Sequence, residues 1–152
     1  MEAVILMGIQ GSGKSTFYRE RFFETHVRIS LDLLGTRNRE RAFLQTCLTA
    51  GQRFAVDNTN VRAQERAVYI AAAKAAGFRV VGYFFDSPLR DALRRNAQRK
   101  GKAKIPVPGV IGTWKRIERP RPEEGFDELW LVTHDAAGAF LSHPWSSEAA
   151  HV

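Results

Sequence analysis

Eight consecutive residues, Gly8-Ile9-Gln10-Gly11-Ser12-Gly13-Lys14-Ser15, set three glycines, a lysine and a hydroxyl at spacings suited to holding phosphate. Glycine lets the backbone curl so that successive N–H groups point inward at an anion, and a following helix adds the positive end of its dipole. The spacing fits the P-loop pattern, with the apolar run Val4–Met7 before it and an amphipathic stretch after it. Nucleotide phosphates are therefore expected against Gly8, Gln10, Gly11, Ser12, Gly13, Lys14, Ser15 and Thr16, with ATP as the phosphate donor. Lys14 is expected to bridge the β- and γ-phosphates and Ser15 to hold Mg²⁺. The plainer alternative is a glycine-rich turn capping a helix.

A hydroxyl that is to attack phosphorus must be oriented and lose its proton, which a carboxylate near the γ-phosphate does. Asp32, just past the strand Val27–Ser30, is the candidate base; a helix N-cap explains it equally well. Asp57 closes the strand ending at Val56 and is placed to hold the metal through water or to bond Ser15. Asn58-Thr59-Asn60 then offers polar groups to a substrate or forms a turn. Asp86-Ser87-Pro88 reads as a helix start.

Arg94, Arg95, Arg99, Lys100, Lys102 and Lys104 crowd one helix end and the Gly- and Pro-broken stretch after it. A solvated face accounts for such a cluster, but a mobile lid over residues 99–108 would bring an arginine to the transferring phosphoryl group. Arg99, at the hinge, is the candidate catalytic arginine. Arg37, Arg39 and Arg41 follow Asp32 and are suited to acceptor phosphates or simply to water. His26, His134, His143 and His151 have no metal-ligand spacing, and the lone Cys47 reads as a packed thiol.

To bring these residues together the chain needs a scaffold, and its pattern supplies one. Val4–Met7, Val27–Ser30, Phe54–Val56, Val80–Phe85 and Leu129–Val132 read as strands. Ser15–Phe23, Arg39–Thr49, Ala63–Ala76, Leu89–Arg99 and Ile111–Ile117 read as helices. Alternation of this kind predicts right-handed crossovers onto a sheet of about five mostly parallel strands, with helices on both faces: an α/β, three-layer P-loop NTPase sandwich with a basic lid. The loops at the carboxyl ends of the strands then gather the P-loop, Asp32, Asp57 and Asp86 along one edge. A kinase domain over residues 1–134 is expected, followed by a tail, 135–152, that shows no clear period.

With 152 residues and 44% apolar content the chain is neither disordered nor large enough for two cores. It lacks an apolar run of membrane-spanning length, and a cytoplasmic location is expected. The formal charge of +7 would draw a polyanion from a distance, an attraction that fades with salt.

Taken in order, Gly8–Phe17, Ser30-Leu31-Asp32-Leu33-Leu34-Gly35, Val56-Asp57-Asn58-Thr59-Asn60, Arg95-Asn96-Ala97-Gln98-Arg99, Ile105-Pro106-Val107 and Glu124-Gly125-Phe126 resemble the 5′-kinase domain of the polynucleotide kinase-phosphatase family. The resemblance covers most of the chain from Val4 to Val132, and implies ATP- and Mg²⁺-dependent phosphorylation of 5′-hydroxyl ends of DNA or RNA. It makes Asp32 the general base and Arg99 the lid arginine on the donor phosphates; Arg95 is expected beside Arg99, and the acceptor is expected against Asp32, Arg37, Asp57, Asn58, Thr59 and Asn60. Ser30-Leu31 departs from the family's Asn-Arg before the base, and the companion phosphatase or ligase activities are expected on other proteins. A kinase of a small-molecule hydroxyl and a nucleotide-dependent nucleic-acid-binding module are the competing readings.

Overall fold

The computed structural model describes residues 1–146; His151 and the end of the expected tail lie outside them. Six strands form one sheet in the order β2-β3-β1-β4-β5-β6. They are β1 (Glu2–Met7), β2 (Val27–Ile29), β3 (Phe54–Asp57), β4 (Arg79–Phe85), β5 (Glu128–His134) and β6 (Phe140–Pro144). The first five run parallel, and β6 pairs antiparallel with β5, His134 opposite Phe140. The fold is thus the α/β sandwich the alternation predicts, with a sixth strand in the segment that shows no period.

Helices α1 (Lys14–Arg21), α2 (Leu31–Leu34), α3 (Arg37–Ala50), α4 (Ala63–Ala75), α5 (Leu89–Ala97) and α6 (Val107–Arg116) fill the connections. Because side chains alternate across a strand, β1 divides its run between two cores. Ala3, Ile5 and Met7 join Leu44 and Cys47 of α3 and Tyr69, Ile70 and Ala73 of α4. Val4 and Leu6 join Phe17 and Tyr18 of α1 with Phe85 and Val132. Continuous apolar runs such as Val4–Met7 are what a parallel strand covered on both faces requires. A third cluster, Ile9, Ala92 and Val110, seats α5 and α6 against the P-loop.

Arg66 on α4 is fully buried and bonds Glu124 through Nε (2.9 Å) and Nη2 (3.2 Å), while Nη1 donates to the carbonyls of Asn60 (3.0 Å) and Glu118 (2.9 Å). Gly125 follows at φ 115°, and Phe126 packs so tightly on Gly82 that a Cβ there would lie 2.6 Å from its ring. The Glu124-Gly125-Phe126 motif is therefore a packing element that fastens α4 to the approach of β5.

Residues 99–108 are tied to α5 at Ile105. Asn96 Nδ2 donates to the Ile105 carbonyl at 2.6 Å and Asn96 Oδ1 accepts from Ile105 N at 2.9 Å, a 3₁₀ turn spans Gly101–Ala103, and α6 starts at Val107.

Candidate active site

The P-loop turns between β1 and α1, as its glycines demand. Gly11 and Gly13 take positive φ, 79° and 98°, and a Cβ on Gly11 would meet the Ala92 carbonyl at 2.3 Å. That close approach fixes α5 against the loop, and Arg95 Nη1 adds bonds to the Gly11 carbonyl and to Ser87 Oγ, both 3.2 Å. Gly8 N donates to the Thr59 carbonyl at 3.0 Å, joining the loop's start to the segment after β3.

Lys14 is 8% exposed and bonds only the carbonyls of Gly8 (2.8 Å) and Ile9 (3.0 Å). Burial pushes its ammonium down to about 8; Asp57 and Asp32 pull it back up, and Arg99 pushes it further down. The Ser12 hydroxyl, wholly buried in the same loop, has no hydrogen-bond partner among the described residues. A buried ammonium with no carboxylate in hydrogen-bond contact among the described residues and an orphaned hydroxyl inside a ring of glycines are what a phosphate would complete.

Ser15 Oγ donates to Asp57 Oδ2 at 2.8 Å, so the two expected metal-site oxygens meet. No cluster of three or more His, Cys, Asp or Glu suited to a metal occurs among the described residues, and a Mg²⁺ ion that keeps several waters needs no more than such a pair. Arg28 on β2 completes the group: its Nε donates to Asp57 Oδ2 at 2.8 Å and its Nη2 to Ser15 Oγ at 3.3 Å. Sequence reasoning passed over Arg28, although an arginine between Val27 and Ile29 inside a short strand was a signal.

Beside the P-loop lies a cavity of about 500 Å³ lined by Gln10, Asp32, Arg37, Asn58, Thr59 and Asn60, with Leu31, Leu44, Val68, Tyr69 and Ile105 among its apolar walls. The residues expected to hold the acceptor thus share one pocket, except Asp57, which belongs to the Ser15 pair. Asn60 sits at φ 49° and is 2% exposed, its amide donating to the Leu6 carbonyl at 2.7 Å. Asn58 is likewise engaged, by Glu40, Tyr69 and the Leu31 amide. Both asparagines shape the pocket more than they reach into it. Glu40 and Tyr69, which sequence reasoning missed, are buried at 4% and 5% exposure. The only advance hint was that Glu40 lies three residues after Arg37 on one helix, which gives no clue to its partner on α4.

Arg99 is partly exposed and bonds the Ala103 carbonyl at 3.3 Å, near enough to Lys14 for its charge to be felt there. Thr16 faces outward and accepts from Arg19 at 3.2 Å. His134, given no role, stands against the loop: a Cβ on Gly13 would lie 3.1 Å from its Nε2 and 3.0 Å from Phe140.

The AAA domain family (AAA_33) matches residues 33–119, more than half of the chain. The chain belongs to this family. Solved structures similar to this AAA domain share its fold at low identity. A complex of AvrRxo1-ORF1 with AvrRxo1-ORF2 and ATP superposes with a TM-score of 0.70 at 17% identity, over 93% of this chain and 57% of that one, so the chain spans under two thirds of that protein. A sugar kinase from Janibacter sp. HTCC2649 gives 0.66 at 17%, over 88% and 85%. The Mycobacterium tuberculosis APS kinase CysC, bound to AMPPNP and APS, gives 0.56 at 18%, over 88% of each chain. The AAA domain therefore has a P-loop kinase fold. No helix among its described residues is long and apolar enough to cross a membrane.

Proposed function

We propose that this AAA domain transfers the γ-phosphoryl group of ATP to the 5′-hydroxyl end of DNA or RNA. The observation that carries the reading is a buried P-loop Lys14 that feels the charge of Asp32, the carboxylate lining the adjoining cavity. Lys14, the P-loop amides and Ser12 hold the donor phosphates; Asp32 takes the proton from the attacking hydroxyl; Arg95 and Arg99 meet charge that spreads over the phosphoryl oxygens. Ser15, and Asp57 through water, would hold Mg²⁺, which would neutralise charge at the phosphates. ATP and AMPPNP in two of the similar structures support the donor assignment.

The polynucleotide acceptor rests on the order of motifs from Gly8 to Phe126 and on exposed cations lining the cavity, Arg37 and Arg41. A second reading, a small hydroxylated acceptor, is favoured by the cavity itself, whose volume falls within the range of sites that take one small molecule. The sugar kinase and APS kinase among the similar structures lend it equal weight. In the first reading, phosphatase and ligase partners act on the same ends, and the protein works in the cytoplasm.

Transfer of labelled γ-phosphate to 5′-OH DNA and RNA oligonucleotides separates the two. Labelling that needs Lys14, Asp32 and added Mg²⁺, and that weakens steeply with salt, is expected. Nucleotide binding without labelling of either oligonucleotide moves the acceptor to a small molecule, and activity that persists in EDTA removes the metal.

A further inference from the structure

The helix that carries Asp32 is poorly held by its own sequence. Helix α2 has four residues, none fully buried, and a single turn of helix is unstable unless something fixes it. Its side-chain cap is long, Ser30 Oγ accepting from Leu33 N at 3.4 Å. The firm anchor comes from another strand: Leu31 N donates to Asn58 Oδ1 at 2.9 Å, one residue before Asp32.

Asn58 is held in turn. Its amide nitrogen donates to Glu40 Oε2 at 2.9 Å and to the Tyr69 hydroxyl at 3.2 Å. That hydroxyl donates to Glu40 Oε1 at 2.6 Å, and Arg37 Nη1 donates to the same oxygen at 3.0 Å. Burial, reinforced by the bond to Glu40, pushes the Tyr69 hydroxyl well above its ordinary range, so it stays a donor at any assay pH. Both Glu40 oxygens are occupied, and so are both ends of the Asn58 amide. A carboxylate this deeply buried is costly unless fully bonded; here it is fully bonded, at the wall of the cavity, to groups that orient one another.

We propose that Glu40 and Tyr69 are positioning residues that fix the general base Asp32 by orienting Asn58 at the start of α2. The proposal rests on the reading of Asp32 as the base. It gives the Asp57-Asn58-Thr59-Asn60 run a division of labour: Asp57 serves the donor side, and Asn58 serves the acceptor side by holding the start of α2.

The test compares Tyr69→Phe, Glu40→Gln and the exchange Glu40→Gln with Asn58→Asp, using Asp32→Ala as reference. In the single variants kcat for phosphoryl transfer is expected to fall about tenfold to hundredfold, as misplacement of a reacting group by an ångström does. KM and Kd for ATP are expected to stay at wild-type values. The exchange reverses which side chain of the Glu40–Asn58 pair donates and keeps an oxygen facing the Leu31 amide, so it is expected to recover most of the lost kcat. Hydrogen exchange provides an activity-independent readout: the Leu31 amide should exchange about tenfold faster in Tyr69→Phe, with amides of β1 and β3 unchanged. Wild-type kcat and Leu31 protection in both single variants would overturn the proposal. So would a uniform loss of ATP affinity and unfolding midpoint that the exchange does not repair, which marks a merely structural role. Undiminished transfer by Asp32→Ala, with Leu31 still deprotected in Tyr69→Phe, removes the base reading instead and leaves the anchor of α2 without a catalytic purpose.

Discussion

Arg66 and Lys14 are both cations shut away from water, at 0% and 8% exposure, and the protein surrounds them in opposite ways. Arg66 has a carboxylate in bidentate contact and two carbonyls besides, so every face of its guanidinium is answered from within the chain. Lys14 has two carbonyls and no carboxylate bond, and burial, which the nearby Asp57 and Asp32 only partly offset, makes its ammonium easier to deprotonate. A buried charge answered internally holds a fold together; one left unanswered marks where a ligand of opposite sign completes the molecule. The difference also separates two motifs that look alike as text: Glu124-Gly125-Phe126 belongs to the first kind, Gly8–Ser15 to the second.

The hardest way to break this contrast is Glu124→Ala. Leaving Arg66 buried without its partner is expected to cost about 3–5 kcal/mol in a urea unfolding experiment, with nucleotide affinity preserved in whatever fraction stays folded. Lys14→Met should do the reverse. Nucleotide binding, followed by calorimetry, is expected to weaken by about 1.5–3 kcal/mol for the lost charge-assisted bonds, while the unfolding midpoint at pH 7 holds or rises. A pH series sharpens the point. Between about 8 and the ordinary lysine value of 10.5, the unfolded chain keeps a proton on Lys14 that the folded chain has lost, so stability gains with rising pH in that window. From pH 7.5 to 9.5 this gain is about 2 kcal/mol, measured as the wild-type midpoint shift minus that of Lys14→Met; equal shifts would mean Lys14 is not depressed. The smallest effect belongs to a third cation, Lys74, which is well exposed and pairs with Asp127 at 3.0 Å. Lys74→Ala should change stability by about 0.2–1 kcal/mol.

The P-loop was readable because its chemistry is local: consecutive glycines, a lysine and a hydroxyl must stand at fixed offsets. The parallel sheet was readable because doubly covered strands are apolar throughout, as Val80, Val81, Phe84 and Phe85 are. What escaped was held by contacts between distant parts of the chain. Glu40 in α3 looks like any surface acid until Tyr69 and Asn58 close on it. Helix α2 is too short to leave a period. Strand β6 mixes Ser142, His143 and Pro144 with Phe140 and Leu141, the composition of a half-exposed edge on which proline is tolerated. The basic run after Arg99 reads as mobile because Gly, Lys and Pro hold nothing locally; its restraint is the amide of Asn96, which a charge count does not see.

Strand β6 also bears on how the molecule comes into being. Phe140 meets Phe17 and Phe85 edge-on, with ring centroids 5.2 and 6.3 Å apart, and abuts the P-loop at Gly13. Translation makes the P-loop well before this supporting strand. Until Phe140 emerges, the loop's aromatic backing lies open and β5 is an unpaired edge able to recruit another chain. A nascent protein of this design completes its phosphate cradle only once β6 has emerged, and a chain cut after His134 should keep most of the helices yet aggregate through the edge it exposes.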